Sequence, residues 1–197
     1  MRIVAGSARG RTLKGPKGPG LRPTADRVRE SIFNILGQTC DGLLVLDLFA
    51  GTGALALEAV SRGASRAVLV DNGREALQLC RENALDLGMA DRVEIVSALV
   101  DARTLARLAV KGPFHLVFAD PPYAAQTPEQ VVDLVGTAKL LAQGGWLVLE
   151  HDKRALAPTL RAGLFRDDQR RFGDTLVSLY RVACEADSAT PPVEGEP

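Results

Sequence analysis

The sequence has few of the residues that stabilise secreted or metal-binding proteins. Its 197 residues include three cysteines, Cys40, Cys80 and Cys184, which are odd in number and widely spaced. This spacing argues against a disulfide framework, so we expect reduced thiols. Because there are two histidines and no cysteine cluster, we also expect no zinc or other metal site.

Long apolar runs are missing as well. No segment approaches the roughly 20 consecutive apolar residues that span a bilayer, and residues 1–10 lack the hydrophobic stretch of a secretion signal. We therefore expect a cytoplasmic protein that does not bind membranes. Hydrophobic residues make up 46% of the chain, which is enough for one well-packed core with a small appendage.

The net charge of zero hides an uneven distribution. Residues 1–36 contain eight Arg or Lys and two acidic residues, a balance of +6, so the remainder carries −6. A basic segment on an acidic body is typical of a protein that binds a polyanion, although a solvated surface strip has the same composition. The side chains that we predict to contact RNA phosphates are Arg9, Arg11, Lys14, Arg22, Arg27 and Arg29.

From Leu43 onward, apolar runs alternate with segments of helical periodicity. The runs predict strands at 43–48, 67–71, 93–97, 114–119 and 145–150. The periodic segments predict helices at 54–62, 74–87, 99–109, 128–141 and 153–162. This alternation predicts an α/β fold with a doubly wound, Rossmann-like, mostly parallel sheet. A further run, 175–182, follows a tight turn and predicts an antiparallel last strand.

The two ends of the chain differ from this middle part. Residues 2–13 predict a short hairpin, and 24–36 an amphipathic helix. The tail contains acidic residues, Pro and Gly, and we expect it to be disordered. We thus divide the chain into a basic RNA-binding extension (1–37), a sheet domain (38–183) and a tail (184–197).

A glycine-rich loop follows the first predicted strand and reads Asp47-Leu48-Phe49-Ala50-Gly51-Thr52-Gly53. Its glycines allow a sharp turn and a close approach to a ligand, at the strand ends where doubly wound sheets bind ligands. Asp71 ends the second strand. An acidic residue at this position can bind the hydroxyl groups of a ribose. Alternatively, its carboxylate interacts favourably with the N-terminal end of the helix that follows.

The residues around this loop favour a cationic ligand. Ala56 stands where a pyrophosphate-binding loop usually has its third glycine, and Asp47 lies at the mouth of the loop. An acidic residue there suits an ammonium group better than a pyrophosphate. S-adenosylmethionine has such a group and also a ribose, so it is the predicted cofactor and a nicotinamide oxidoreductase is disfavoured.

The sequence Asp120-Pro121-Pro122-Tyr123 follows the predicted strand 114–119. The prolines fix the backbone and leave the Pro121 carbonyl free to accept a hydrogen bond. The Asp120 carboxylate is a second acceptor, and the ring of Tyr123 offers a flat surface. The loop therefore has two acceptors for the exocyclic amine of a base and a surface on which the base can stack. The alternative is a proline-rich turn with a core tyrosine. Further along, Glu150 either lines the pocket or faces water.

Several of these motifs resemble those of a known family. DLFAGTGALALEA at 47–59, Asp71 and DPPY at 120–123 resemble class I S-adenosylmethionine-dependent amino-methyltransferases. LRPTADRVRESIFNIL at 21–36 resembles the signature of RsmD-like enzymes, which methylate N2 of a guanine in bacterial small-subunit ribosomal RNA. The resemblance implies a seven-stranded sheet with an antiparallel last strand.

The resemblance also assigns roles to residues. It implies that Asp120, Pro121 and Tyr123 are catalytic. The cofactor-binding residues that we predict are Asp47, Phe49, Gly51, Gly53, Asp71, Ser97 and Asp120. Ser97 is included because this chain has Ser97-Ala98 where the family usually offers Asp or Asn to the adenine; backbone groups are the alternative.

We therefore expect an enzyme that methylates guanine N2 in ribosomal RNA or in a 30S assembly intermediate, and that acts as a monomer. A DNA adenine-N6 or cytosine-N4 methyltransferase could use the same loop, but the chain has no evident target-recognition domain. A nucleic-acid-binding module with a degenerate nucleotide fold is the third possibility. The intact Gly51, Gly53, Asp71 and Asp120 argue against it.

Overall fold

The computed structural model describes residues 1–16, 23–122 and 126–184, and for residues 23–25 the backbone alone. The helices are α1 (Pro23–Ile35), α2 (Ala54–Ser61), α3 (Arg74–Asp86), α4 (Ala102–Ala109) and α5 (Pro128–Thr137). The strands are β1 (Leu44–Leu48), β2 (Arg66–Asp71), β3 (Val93–Ser97), β4 (Phe114–Ala119), β5 (Leu141–Asp152), β6 (Leu160–Arg161), β7 (Leu164–Phe172) and β8 (Thr175–Val182). None of the described helices has the length and apolar character to cross a bilayer.

The strands form one sheet in the order β3-β2-β1-β4-β5-β8-β7-β6. Strands β1 to β5 pair in parallel, and β8 is antiparallel to both β5 and β7. The predicted fold class is confirmed, with eight strands instead of seven because the two-residue β6 pairs with β7. The strand order reverses between β1 and β4, which is where such sheets bind ligands.

Both faces of the sheet are covered, because successive side chains of each strand point to opposite faces. Val45 of β1 packs with one core and Leu46 with the other. The first core also contains side chains of α1, α2 and α3, and the second contains side chains of α4 and α5. This two-sided burial explains why the inner strands are almost continuously apolar.

The predicted N-terminal hairpin is present. Arg2 pairs with Thr12, and the Ile3 N–H donates to the Arg11 carbonyl over 3.0 Å. Gly6 turns the chain against the end of α2 with a φ of 81°, and a Cβ there would lie 1.9 Å from the Ser61 carbonyl oxygen. The hairpin therefore packs directly on the sheet domain.

The predicted helix at 153–162 is wrong. Strand β5 continues to Asp152, a turn follows, and β6 occupies part of the segment. Pro158 lies inside the predicted helix, where it could not donate the helical hydrogen bond, and its carbonyl instead accepts from the Tyr180 hydroxyl over 2.9 Å. Strand β7 was not predicted, because its mostly polar sequence LFRDDQRRF lacks the alternation of a half-buried strand.

Candidate functional site

A cavity of about 700 Å³ lies at the carboxyl ends of β1, β4 and β5. Four residues predicted from the sequence line it: Asp47, Phe49, Gly51 and Asp120. The rest of the wall includes Glu150, Arg29 of α1 and the turn between β7 and β8. The glycine-rich loop and the start of the Asp-Pro-Pro segment therefore share one cavity.

The glycine-rich loop has an unusual backbone conformation. Phe49, Gly51 and Gly53 have φ angles of 61°, 56° and 76°, in the left-handed region. At Gly53 a Cβ would also lie 2.8 Å from Cδ2 of Leu69, so a larger residue there would displace the Leu69 side chain. A phenylalanine in this region costs about 1–3 kcal/mol, a strain that is typically found at ligand-binding sites.

Asp71 connects this loop to the end of β2. Its carboxylate accepts from the Gly51 N–H over 2.9 Å and from the Gly73 N–H over 2.8 Å. Ser97 is its exposed partner in β3, and the Ala98 N–H donates to the Asp71 carbonyl. Asp71 and Ser97 thus lie side by side but are not part of the cavity wall.

Carboxyl groups dominate the electrostatics of the cavity. Asp47 is 3% exposed and accepts from the Ala56 N–H; burial raises its pKa well above the ordinary value, and the charges of neighbouring acids add to this. Asp120 is accessible from the cavity, yet surrounding protein atoms desolvate its carboxylate and raise its pKa to about 6. Burial and the charge of Asp120 raise the pKa of Glu150 to about 8, while Arg29 opposes the shift.

These shifts indicate which ligands the cavity favours. A raised carboxyl pKa means that the negative charge lacks stabilising partners, so a cationic ligand would be stabilised there. Asp174 adds a further acid to the wall, where Arg29 is the basic side chain. The cavity therefore suits a cation.

The two predicted acceptors of the loop after β4, Asp120 and the Pro121 carbonyl, have no hydrogen-bond donor among the described residues. Pro121 itself is buried. Tyr123 and Arg22, both predicted to be functional, lie outside the described residues.

Arg29 does not lie on the outer surface, so that prediction is wrong. The residue is 3% exposed, and its Nη2 donates to Asp26 Oδ1 over 2.8 Å and to the Arg2 carbonyl. Its Nε lies 3.4 Å from Oε2 of Glu58. The residue turns inward because these acceptors, two of them on the N-terminal extension itself, hold it there.

Glu58 is an important residue that the sequence reasoning missed. It is fully buried and accepts from the N–H groups of Val4 and Ala5 over 2.7 and 2.9 Å. It also accepts from Nε of Arg62 over 2.8 Å. The signal was present in the sequence, since Glu58 is the one charged residue in the apolar helix ALALEAVS.

The other predicted RNA contacts differ in their surroundings. Arg9 and Arg27 are exposed and form no ion pair with the described residues. The Lys14 ammonium lies 2.9 Å from Asp86 Oδ2 and 3.2 Å from Glu82 Oε2, and Arg11 donates to the Asp86 carbonyl. Lys14 and Arg11 thus fasten the extension to α3.

Asn83 joins the extension to the glycine-rich loop. This buried side chain accepts from the Lys14 N–H over 2.8 Å and donates to the Lys14 carbonyl over 3.0 Å. It also donates to the Thr52 carbonyl over 2.9 Å. A single side chain therefore holds both the basic segment and the loop that lines the cavity.

Comparison with known proteins agrees with this architecture. The model of the family described as Conserved hypothetical protein 95 matches residues 1–181. The chain belongs to this family. It is 34% identical to the ribosomal RNA small subunit methyltransferase D of Escherichia coli K12, over 95% of this chain and 93% of that protein.

Two further relatives cover nearly the whole chain. The Bacillus subtilis protein YlbH is 34% identical over 92% of this chain and 98% of its own length. The solved structure of yhhF from Escherichia coli superposes with a TM-score of 0.78 at 33% identity, covering 92% of this chain and 97% of that one. The family resemblance seen in the sequence is confirmed.

Proposed function

We propose that this protein transfers a methyl group from S-adenosylmethionine to the exocyclic N2 amine of a guanine in small-subunit ribosomal RNA. The observation that carries the proposal is the shared cavity: the glycine-rich loop and Asp120 open onto the same space of about 700 Å³. A relative named as a ribosomal RNA small subunit methyltransferase matches 95% of the chain, and one named as an rRNA methyltransferase matches 92%, which supports this substrate.

The residues present fit S-adenosylmethionine. Asp47 in the wall suits its ammonium charge. The left-handed glycines bring the loop backbone close to a ligand, and Asp71 at the end of β2 stands where a ribose diol would bind. When bound, the cofactor supplies an electrophilic methyl group on sulfur.

The protein's main contribution is to position the amine. Asp120 and the Pro121 carbonyl accept hydrogen bonds from its two N–H groups, which makes the nitrogen more electron-rich and stabilises the positive charge that develops there. After transfer the nitrogen releases one proton, to Asp120 or to water. Holding amine and methyl group in line supplies about 7–11 kcal/mol of the barrier reduction. Stacking of the flipped base on Tyr123 contributes about 1–3 kcal/mol. No nucleophilic side chain is required.

The N-terminal extension, residues 1–37, is the RNA-binding part in this proposal. Arg9 and Arg27 are exposed cations that form no ion pair with the described residues, while Arg11 and Lys14 must exchange contacts with α3 to reach a phosphate. Arg22 is also a proposed phosphate contact, because it belongs to the basic segment of the sequence. The sheet domain, 38–183, carries the cofactor and the chemistry. We place the enzyme in the cytoplasm, as a monomer acting on ribosomal RNA or on a 30S assembly intermediate.

The decisive experiment is mass spectrometry of nucleosides from the small-subunit RNA of cells with and without this protein. We expect one N2-methylguanosine to be lost in the deletion strain and restored by the purified enzyme with S-adenosylmethionine. Methyl transfer to adenine or cytosine of DNA in a parallel assay, with unchanged ribosomal RNA, would refute the proposal and favour the DNA enzyme.

A further inference from the structure

Glu150 lies beside the proposed catalytic carboxylate without taking part in the chemistry described above. Ala119 of β4 and Leu149 of β5 are partners in adjacent parallel strands, so the next residues, Asp120 and Glu150, emerge side by side. Neighbouring strands are about 4.8 Å apart. Both residues line the cavity. Two carboxyl groups at this spacing can reach neighbouring atoms of one planar ring.

The surroundings of Glu150 leave its carboxylate available to a ligand. No donor among the described residues makes a hydrogen bond to it. The other acid at the rim of the cavity differs, because Asp174 is paired with Lys153 at 2.6 Å. Arg29, fixed by Asp26 and the Arg2 carbonyl, is the nearby positive charge that favours the ionised form of Glu150.

The bases differ in the hydrogen-bonding group that lies beside the exocyclic amine, so a second carboxyl group at this place can distinguish between them. In guanine the exocyclic amine lies between two ring nitrogens, and the one on the Watson–Crick edge, N1, carries a hydrogen and is a donor. In adenine and cytosine the ring nitrogen next to the amine has a lone pair and is an acceptor. A carboxylate beside the amine site therefore attracts guanine and repels the other two bases, as expected when a flipped base is recognised by its Watson–Crick edge.

We propose that the Glu150 carboxylate accepts a hydrogen bond from the N1–H of the target guanine, next to the amine held by Asp120, and thereby selects guanine over adenine and cytosine. The inference rests on the proposed function and adds a specificity-determining residue to it. Burial raises the pKa of Glu150, so the carboxylate form that this role requires is populated above about pH 8, or when the N1–H donor of a bound guanine stabilises it.

The test uses small-subunit ribosomal RNA assembled by ligation, with either guanine or 2-aminopurine at the methylated position. 2-Aminopurine keeps the amine but has a lone pair at N1. We expect the unchanged enzyme to prefer guanine by about 10- to 100-fold in kcat/KM. In Glu150→Gln the side-chain amide can donate to N1, so the preference should shrink by about tenfold or more.

Asp174→Asn is the matched control, since it also neutralises an acid of the cavity wall, and it should keep the full preference. Calorimetric binding of S-adenosylhomocysteine verifies that each variant is folded. If Glu150→Gln does not fold, Glu150→Ala should slow transfer to guanine and leave transfer to 2-aminopurine unchanged.

The two proposals fail in different ways. An undiminished preference in both Glu150 variants, together with normal transfer to guanine, would overturn the role of Glu150 alone. Absence of transfer to guanine by the unchanged enzyme would overturn the proposed function and this inference with it.

Discussion

Asp120 is accessible from the cavity and yet poorly solvated, a combination that suits a group whose partner is a substrate. Its carboxylate has no hydrogen-bond donor among the described residues, and the surrounding protein raises its pKa to about 6. Asp47, in contrast, is buried and bonded to the Ala56 N–H. The two acids should therefore respond differently to mutation.

We expect Asp120→Ala to lower kcat by about 100-fold or more, because an acceptor that stabilises developing charge is lost. The affinity for S-adenosylhomocysteine should stay unchanged, since the glycine-rich loop remains intact. Single-turnover methylation and calorimetry measure the two quantities separately. An equal loss of both would indicate a structural role for Asp120.

Glu150 predicts a dependence of stability on pH. Its pKa is about 8 in the folded protein, against 4.5 for an ordinary glutamic acid. Between these values the folded state holds a proton that the unfolded state has released, so the unfolding free energy contributed by Glu150 falls as the pH rises. We expect Glu150→Gln to raise Tm by about 8–15 °C more near pH 9 than near pH 5, measured by thermal unfolding. An equal change at both pH values would contradict the shifted pKa.

Helix α2 connects the glycine-rich loop, at its N-terminus, to the N-terminal extension, through Glu58 and Ser61. Glu58 binds two backbone N–H groups of the hairpin, and Ser61 accepts from the Ala8 N–H over 2.9 Å. The side chains of Arg29 and Arg62 complete the buried charge cluster. The extension is thus part of the packed molecule and not a loose arm.

Glu58→Ala leaves the buried Arg62 without its carboxylate and the N–H groups of Val4 and Ala5 without their acceptor, so we expect the unfolding free energy to fall by about 3–5 kcal/mol. Glu94→Ala is a suitable control, because Glu94 pairs with the exposed Arg66 and Lys111 at the surface. Its loss should change stability by about 0–1 kcal/mol per pair. Urea denaturation compares the two variants, and similar losses would show that Glu58 is not a central anchor.

Asn83→Ala removes the link between Lys14 and Thr52. We expect a destabilisation of about 1–3 kcal/mol, since buried backbone groups lose their partners, and weaker binding of S-adenosylhomocysteine, since the glycine-rich loop is no longer held. Lys14→Met, which removes the surface ion pairs but keeps the backbone bonds to Asn83, should bind the cofactor normally. Calorimetry on both variants decides whether the link matters.

The elements differ in how well the sequence predicts them. The inner strands were predicted because two-sided burial requires apolar residues at nearly every position, as in β4. Strand β7 is polar and forms because its backbone pairs with β8, which periodicity does not reveal. In the site, the glycine-rich loop and Asp120 follow from local motifs. The position of Glu150 beside Asp120 and the burial of Arg29 depend on strand order and on packing, which a single sequence does not contain.

At the scale of the whole molecule, charge is separated between an acidic cavity and a basic extension. Arg9 and Arg27 are exposed cations of the extension that form no ion pair with the described residues, on the side of the sheet where α1 packs. Helix α4 has exposed arginines on the opposite side, Arg103 and Arg107. This pair provides a control of equal charge for a test of RNA binding.

We expect Arg9→Gln with Arg27→Gln to weaken binding to small-subunit RNA and to reduce the slope of log K against log salt concentration by about 1.5–2, since two phosphate contacts are lost. Arg103→Gln with Arg107→Gln should leave the slope unchanged. Filter binding at several salt concentrations measures both. Identical slopes for the two double variants would exclude the extension as the RNA-binding surface.

The docking of the extension has a consequence for the nascent chain. Phe33 of α1 packs against Phe118, with ring centroids 5.8 Å apart, and the hairpin needs Glu58. Phe118 is made 85 residues after Phe33, which at the usual speed of translation takes about 4–17 s. During that time α1 has a hydrophobic face without its partner. Whatever chaperone attends this protein during synthesis should therefore meet its first 36 residues.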